Sequence, residues 1–280
     1  MHLSVLVLSL LVATGSLAAG LLGSLTGLGG GIIVVPMLTL LFGVDLRYAI
    51  GASLVAVIAT SSGAAAAYVR EGFTNVRVGV FLELATTMGA LAGASVAGLI
   101  PTHVLAALFG AVLLLTAYRS LRPLQERDPA AEPDRWAARL RMDSSYPVGG
   151  RMQRYAVQGV PTGFAIMLGA GVLSALLGIG SGIVKVVAMD RVMRLPFKVS
   201  TTTSNFMIGV TAAASSGVYL HDGYIDPSIT FPVMLGVLAG ALIGARLLPR
   251  ARTTLLRRLF TVVLVVTAIK MLYNGITGAM

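Results

Sequence analysis

Gly27-Leu28-Gly29-Gly30-Gly31-Ile32-Ile33-Val34-Val35-Pro36 is answered 151 residues later by Gly178-Ile179-Gly180-Ser181-Gly182-Ile183-Val184-Lys185. In each copy a cluster of glycines opens onto branched apolar residues. The register then holds without a gap: Ser53 falls on Ser204, Tyr68 on Tyr219, Glu71-Gly72-Phe73 on Asp222-Gly223-Tyr224, and Gly89-Ala90-Leu91 on Gly240-Ala241-Leu242. Apolar composition alone produces chance Leu and Ala matches. It does not align glycines, tyrosines and an acid-Gly-aromatic turn in one register. The chain therefore reads as a duplication: a first membrane repeat at 1–118, a linker at 119–157 and a second membrane repeat at 158–280.

The 280 residues are 56% hydrophobic and only 11% charged. A soluble domain carries roughly 25% charge, so long apolar segments decide the class. Ten can be marked, at about 3–26, 29–42, 49–69, 78–99, 103–118, 158–178, 181–193, 200–220, 229–248 and 256–273. The first lacks a basic n-region before it and reads as a retained membrane segment, a cleaved signal being the alternative. Most approach the ~20 residues that cross the hydrocarbon core as a helix. The two that follow the glycine clusters are short. The expected fold is an all-α polytopic membrane protein. Within the linker, 132–142 reads either as a short amphipathic surface helix anchored by Trp136 or as flexible chain.

Ten crossings place Arg70, Arg77, the linker arginines, Arg191, Arg194, Lys198, Arg250, Arg252, Arg257 and Arg258 on one side. That one-sided excess marks the cytoplasm. Five crossings per copy is odd, so the copies become inverted-topology repeats, with both termini outside the cytoplasm. Inverted repeats with matching broken segments are a common transporter plan, and the breaks point to the substrate site. A glycine break exposes amides, and a helix starting there offers N–H groups and partial positive charge to an anion. Gly29, Gly30, Gly31, Gly180, Ser181 and Gly182 are therefore candidate substrate residues, with close helix packing as the alternative. Gly93, Gly98, Gly240 and Gly244 read as packing glycines.

Lys185 stands in an apolar stretch where the first copy has Val34. A buried ammonium needs compensation from an anionic substrate; the alternatives are pairing with a fixed acid or snorkelling to the cytoplasmic surface. Glu83, a few residues inside its segment, is a candidate for coupling to a proton, with pairing to a base as the alternative. Ser53, Thr203, Ser204 and Asn205 add neutral polar contacts for the anion, with interhelical bonding as the alternative for Ser204 and Asn205. Ser200 and Thr201 suit a cap for a helix beginning near Val199. Ser61, Ser62, Ser215 and Ser216 are expected to bond between helices.

Several classes fall away. With no cysteine there is no disulfide, iron–sulfur or thiolate zinc site. The glycine cluster lacks both the dinucleotide spacing and the Gly-Lys-Ser/Thr ending of a phosphate loop. The net charge of +10 lies between apolar segments, so no nucleic-acid face is expected. No catalytic constellation, metal set or cofactor is expected either.

The glycine copies, together with Pro196-Phe197-Lys198-Val199-Ser200-Thr201-Thr202-Thr203-Ser204-Asn205-Phe206-Met207-Ile208-Gly209-Val210-Thr211, resemble the sulfite exporter TauE/SafE family. This is also described as the 4-toluene sulfonate uptake permease family. The resemblance implies a multi-pass carrier of the bacterial inner membrane for small sulfur-containing or organic anions, with fewer membrane segments than the charge pattern gives. Its partners would be the anion, a coupling proton or counter-ion, and lipid; a homo-oligomer is compatible with it. A channel of the same architecture, a membrane enzyme and an assembly protein are the competing readings.

Overall fold

The computed structural model describes residues 5–26, 30–70, 72–121, 134–148, 151–247 and 253–278. Gly27 to Gly29, Glu71, most of the linker before Asp134, and Arg250 and Arg252 lie outside the described residues. The first copy forms α1 (Val5–Thr26), α2 (Gly31–Phe42), α3 (Leu46–Arg70), α4 (Val76–Ala97) and α5 (Thr102–Leu121). The linker contributes α6 (Arg135–Arg139), β1 (Ser144–Val148) and β2 (Arg151–Tyr155). The second copy forms α7 (Val160–Leu177), α8 (Gly182–Val187), a π-turn over Ala188–Val192, α9 (Phe197–His221), α10 (Pro227–Leu247) and α11 (Thr253–Thr277). Helices dominate because a backbone in hydrocarbon must satisfy its own N–H and C=O groups.

The duplication is written into the helix starts. Gly31 and Gly182, Leu46 and Phe197, Val76 and Pro227, and Thr102 and Thr253 each stand 151 residues apart. Four stretches among the described residues are long and apolar enough to cross a membrane: Val76–Ala97, Val160–Leu177, Pro227–Gly244 and Phe260–Thr277. At 1.5 Å per residue, α2 rises about 18 Å and α8 about 9 Å, against ~30 Å of hydrocarbon. Helix length alone therefore does not carry either short segment across.

Packing exchanges the copies as a two-fold axis does. α1 lies on α10 as α7 lies on α4, α2 on α3 as α8 on α9, and α3 on α10 as α9 on α4. α3 packs on its own counterpart α9, and α5 on α11. Thr202, at the start of α9, donates to the carbonyl of Phe73 beyond the end of α3 (3.0 Å). Gly51, near the start of α3, abuts the carbonyl of Tyr224 beyond the end of α9. The equivalent helices α3 and α9 are thus antiparallel neighbours.

Glycines set the closest approaches. A Cβ on Gly240 would strike the Leu17 carbonyl, and one on Gly89 would strike that of Leu168, residue for residue equivalent. Gly93 likewise faces Val172. Gly98 corrects the expectation for packing glycines: nothing lies within 4 Å of where its Cβ would be. The serines are corrected too. Ser61 and Ser62 donate to Ile58, Ser215 to Thr211 and Ser216 to Ala213, all within their own helices, because a carbonyl three or four residues back is always in reach.

The linker holds a feature that composition did not suggest, an antiparallel hairpin pairing Ser144 with Tyr155 through Val148 with Arg151. Beside it, α6 is a single turn capped by Asp134, with Trp136 52% exposed. Met142, Tyr155 and Val157 bury against Val78, Leu82, Met167, Met189 and Met207 as a second apolar core. Asn75 ties this assembly to the bundle. Its amide side chain donates to Met142 O (2.8 Å) and Tyr155 Oη (2.9 Å), its own Oδ1 caps α4 at Val78 N, and its backbone N–H donates to Thr203 Oγ1 (3.0 Å).

Candidate functional site

The two glycine breaks meet. Ser53 Oγ on α3 donates to the carbonyl of Gly178 at 2.7 Å and lies 3.2 Å from that of Gly31, so one hydroxyl touches both breaks. Its counterpart Ser204 on α9 donates to Gly182 at 3.1 Å, repeating the Ser53–Gly31 contact in the second copy. Gly31 packs against Val57, and Gly182 against the equivalent Ile208. Neither α2 nor α8 has a side-chain N-cap, so the first amides of each helix have no intrahelical acceptor.

The breaks differ in backbone. Gly30 is right-handed (φ −69°), whereas Ser181 is left-handed (φ 45°), as are Gly178 and Gly180 (φ 66° each). Left-handed backbone suits glycine but strains serine. Ser181 is 2% exposed, and its hydroxyl has no partner among the described residues.

The α9 hydroxyls divide. Helix α9 starts at Phe197, with Pro196 in the cap position, two residues before the expected start near Val199. Ser200 and Thr201 are consequently past the cap and bond back to Leu195 and Phe197. Thr203 accepts the Asn75 amide, Ser204 holds α8, and Asn205 is half-buried on α9.

Lys185 is fully buried on α8, and the fixed acid beside it is Glu83 of α4, itself 7% exposed. The ammonium lies 3.8 Å from Glu83 Oε2 and donates to Thr211 Oγ1 at 2.5 Å. Thr211 in turn donates to Glu83 Oε1 at 2.6 Å and lies 3.4 Å from Thr86 Oγ1. Glu83 Oε2 has no hydrogen-bond partner among the described residues. Reading the sequence assigned no role to Thr211 or Thr86. Helical spacing carried the signal: Thr211 lies two turns after Ser204 on α9, and Thr86 one turn after Glu83 on α4.

This cluster, built from both copies, exists at one of the two related positions only. The positions equivalent to Lys185, Glu83 and Thr211 hold Val34, Met234 and Thr60. Val34 is buried, and Thr60 bonds only to its own helix, at Ala56 and Val57. Two related glycine breaks and one ion pair at their side thus form a polar cluster inside an otherwise apolar bundle.

The sequence profile of the sulfite exporter TauE/SafE family matches residues 11–271. The chain belongs to that family of membrane transporters and is a multi-pass protein of the bacterial inner membrane. It is 28% identical to the "Probable membrane transporter protein YunE" of Bacillus subtilis, over 95% of this chain and 98% of the relative. A "Probable membrane transporter protein" of Xylella fastidiosa is also 28% identical, over 95% and 96%. The "Probable membrane transporter protein YdhB" of Bacillus subtilis is 27% identical, over 81% and 85%. No solved structure matches the chain.

Proposed function

We propose that the protein is a secondary carrier of small sulfur-containing or organic anions, such as sulfite, sulfoacetate or related sulfonates. In this reading the copies are inverted repeats, and exchanging their conformations opens the site to alternate sides. The antiparallel packing of α3 on α9 supports the inversion. The observation that carries the reading is the meeting of the two glycine breaks at Ser53 beside the buried Lys185. Backbone amides at Gly30, Gly31, Ser181 and Gly182 and the ammonium would contact the anion, with Ser204 and Asn205 at the edge. Gly29, outside the described residues, belongs to the same proposed break. Glu83 would serve coupling.

Sealed vesicles carrying the purified protein test this with uptake and efflux of sulfite, sulfate, thiosulfate, sulfoacetate and taurine. Saturable flux with accelerated exchange against the same anion is expected. Absence of flux for the whole panel removes the anion class. Flux without exchange means a channel.

A further inference from the structure

We propose that Lys185, Thr211 and Thr86 form the seat of the transported anion, and that the Glu83 carboxylate fills that seat when substrate is absent. Substrate then enters only as Glu83 takes up a proton, so that one proton crosses with each monovalent anion. This rests on the carrier reading above and adds the coupling step to it.

The direction of the hydrogen bonds comes first. Lys185 donates to Thr211, whose single hydroxyl proton has two acceptors in reach, Glu83 Oε1 at 2.6 Å and the Met207 carbonyl at 3.2 Å, the shorter bond going to the carboxylate. The three groups form one ordered donor chain ending on a carboxylate oxygen. A substrate oxygen in the place of Oε1 would receive the same hydroxyl proton and lie beside the same ammonium. The pair is also loosely matched. Lys185 Nζ stands 3.8 Å from Oε2, and that oxygen has no hydrogen-bond partner among the described residues. A buried ion pair that only holds a fold offsets its desolvation by direct, saturated bonding. This pair leaves an acceptor open.

The related position is built without the pair. Its equivalent residues are Val34 on α2, in the first copy, and Met234 on α10, in the second, and there α2 runs on to Phe42 where α8 gives way to the π-turn. The charges occur at one of the two related positions only.

Charge balance then fixes the proton. Empty, the site holds Lys185⁺ and Glu83⁻ and is neutral. A monovalent anion would leave it at minus one in a medium where an unpaired charge is costly. Protonation of Glu83 by hydronium from bulk solution restores neutrality: an O–H bond of hydronium breaks, the new O–H bond on Glu83 removes the carboxylate charge, water is left behind, and the Lys185 ammonium pairs with the substrate. Among the described residues no other charge facing the site can substitute. α7 contains no ionisable residue. On α9, the Lys198 ammonium rests 3.9 Å from the centre of the Phe73 ring, Tyr219 donates to Ala175 O, and His221 lies at the helix end. On the π-turn, Asp190 and Arg191 lie 3.6 Å from each other. On α4, Arg77 donates to Arg141 O.

The test loads sealed vesicles with a pH-sensitive dye and applies a gradient of methanesulfonate. This probe stays a monoanion at every working pH, so the protons counted belong to the carrier. One proton is expected to enter per methanesulfonate. Glu83→Gln is expected to lose net uptake driven by a pH gradient by at least tenfold while still exchanging methanesulfonate for methanesulfonate. Lys185→Met is expected to lose both. Methanesulfonate flux without proton movement, or a Glu83→Gln variant coupled like the native protein, overturns the coupling and leaves the carrier reading standing. Absence of flux and exchange for both methanesulfonate and sulfite overturns the anion seat together with that reading. Should Glu83→Gln not fold, the proton count on the native protein decides alone.

Discussion

Lys185 and Glu83 come from different copies of the duplication and meet 3.8 Å apart inside the bundle, with the Thr211 hydroxyl bonded to both. Their interdependence predicts a stability pattern. Lys185→Met leaves a buried carboxylate unpaired and is expected to cost about 3–5 kcal/mol. The double variant Lys185→Met/Glu83→Gln removes both charges and should recover most of that loss. Thermal unfolding of the three proteins in detergent measures it. Equal destabilisation by the single and double variants would show that the pair contributes little.

Anion affinity separates charge from packing. The double variant keeps the shape of both side chains and has no ammonium, so its affinity for the transported anion should fall at least tenfold, about 1.4 kcal/mol. Lys185→Arg should retain part of the affinity, because a planar fork fits a compact ammonium site imperfectly. Equilibrium binding on monodisperse protein reads both. Unchanged affinity in the double variant would take Lys185 out of the site.

The glycine contacts predict matched damage. Gly89→Ala and Gly240→Ala each drive a methyl group into a backbone carbonyl of the neighbouring helix, Leu168 and Leu17 respectively. Both should destabilise by similar amounts, of the order of the 1–3 kcal/mol seen for overpacking. Gly98→Ala, in open space with φ −65°, should be neutral. Unfolding midpoints in one detergent compare all three. A harmless Gly240→Ala beside a damaging Gly89→Ala would contradict the two-fold exchange.

Sidedness is predicted from the arginines. In this cysteine-free chain, Arg139→Cys on α6 should react with an impermeant thiol reagent only from the cytoplasmic face, and Thr277→Cys at the end of α11 only from the periplasmic face. Both residues are exposed. Labelling of both from one face of intact cells would rule out inverted repeats with both termini outside.

Much of the bundle was legible in the sequence because the duplication supplies two readings of each helix. The marked segments fall on the ten bundle helices, with the 151-residue register preserved at the helix starts. The linker hairpin was missed because its strands are polar and short. Gly149-Gly150 between Val148 and Arg151 is the turn signal that names it. α9 begins at Phe197 and not near Val199 because Pro196, which cannot continue a helix interior, sets its boundary. The glycine breaks and Lys185 were legible as exceptions to an apolar pattern. Thr211 was not, since a threonine in a membrane helix normally bonds to its own backbone, and only the fold brings Glu83 within 2.6 Å of it. Nor does the sequence tell that Ser181 adopts a backbone that Gly30 does not.

The glycine contacts also speak to ancestry. The helices drawn into backbone contact are α1 with α10, α4 with α7 and α5 with α11, one from each copy every time. A single copy folded alone would leave these notched faces bare. A gene encoding only one copy would need a second molecule laid alongside in the opposite direction to fill them. Fusion of two such genes makes that encounter unimolecular. Only then could one partner acquire a lysine and the other a glutamate without a matching pair appearing across the axis.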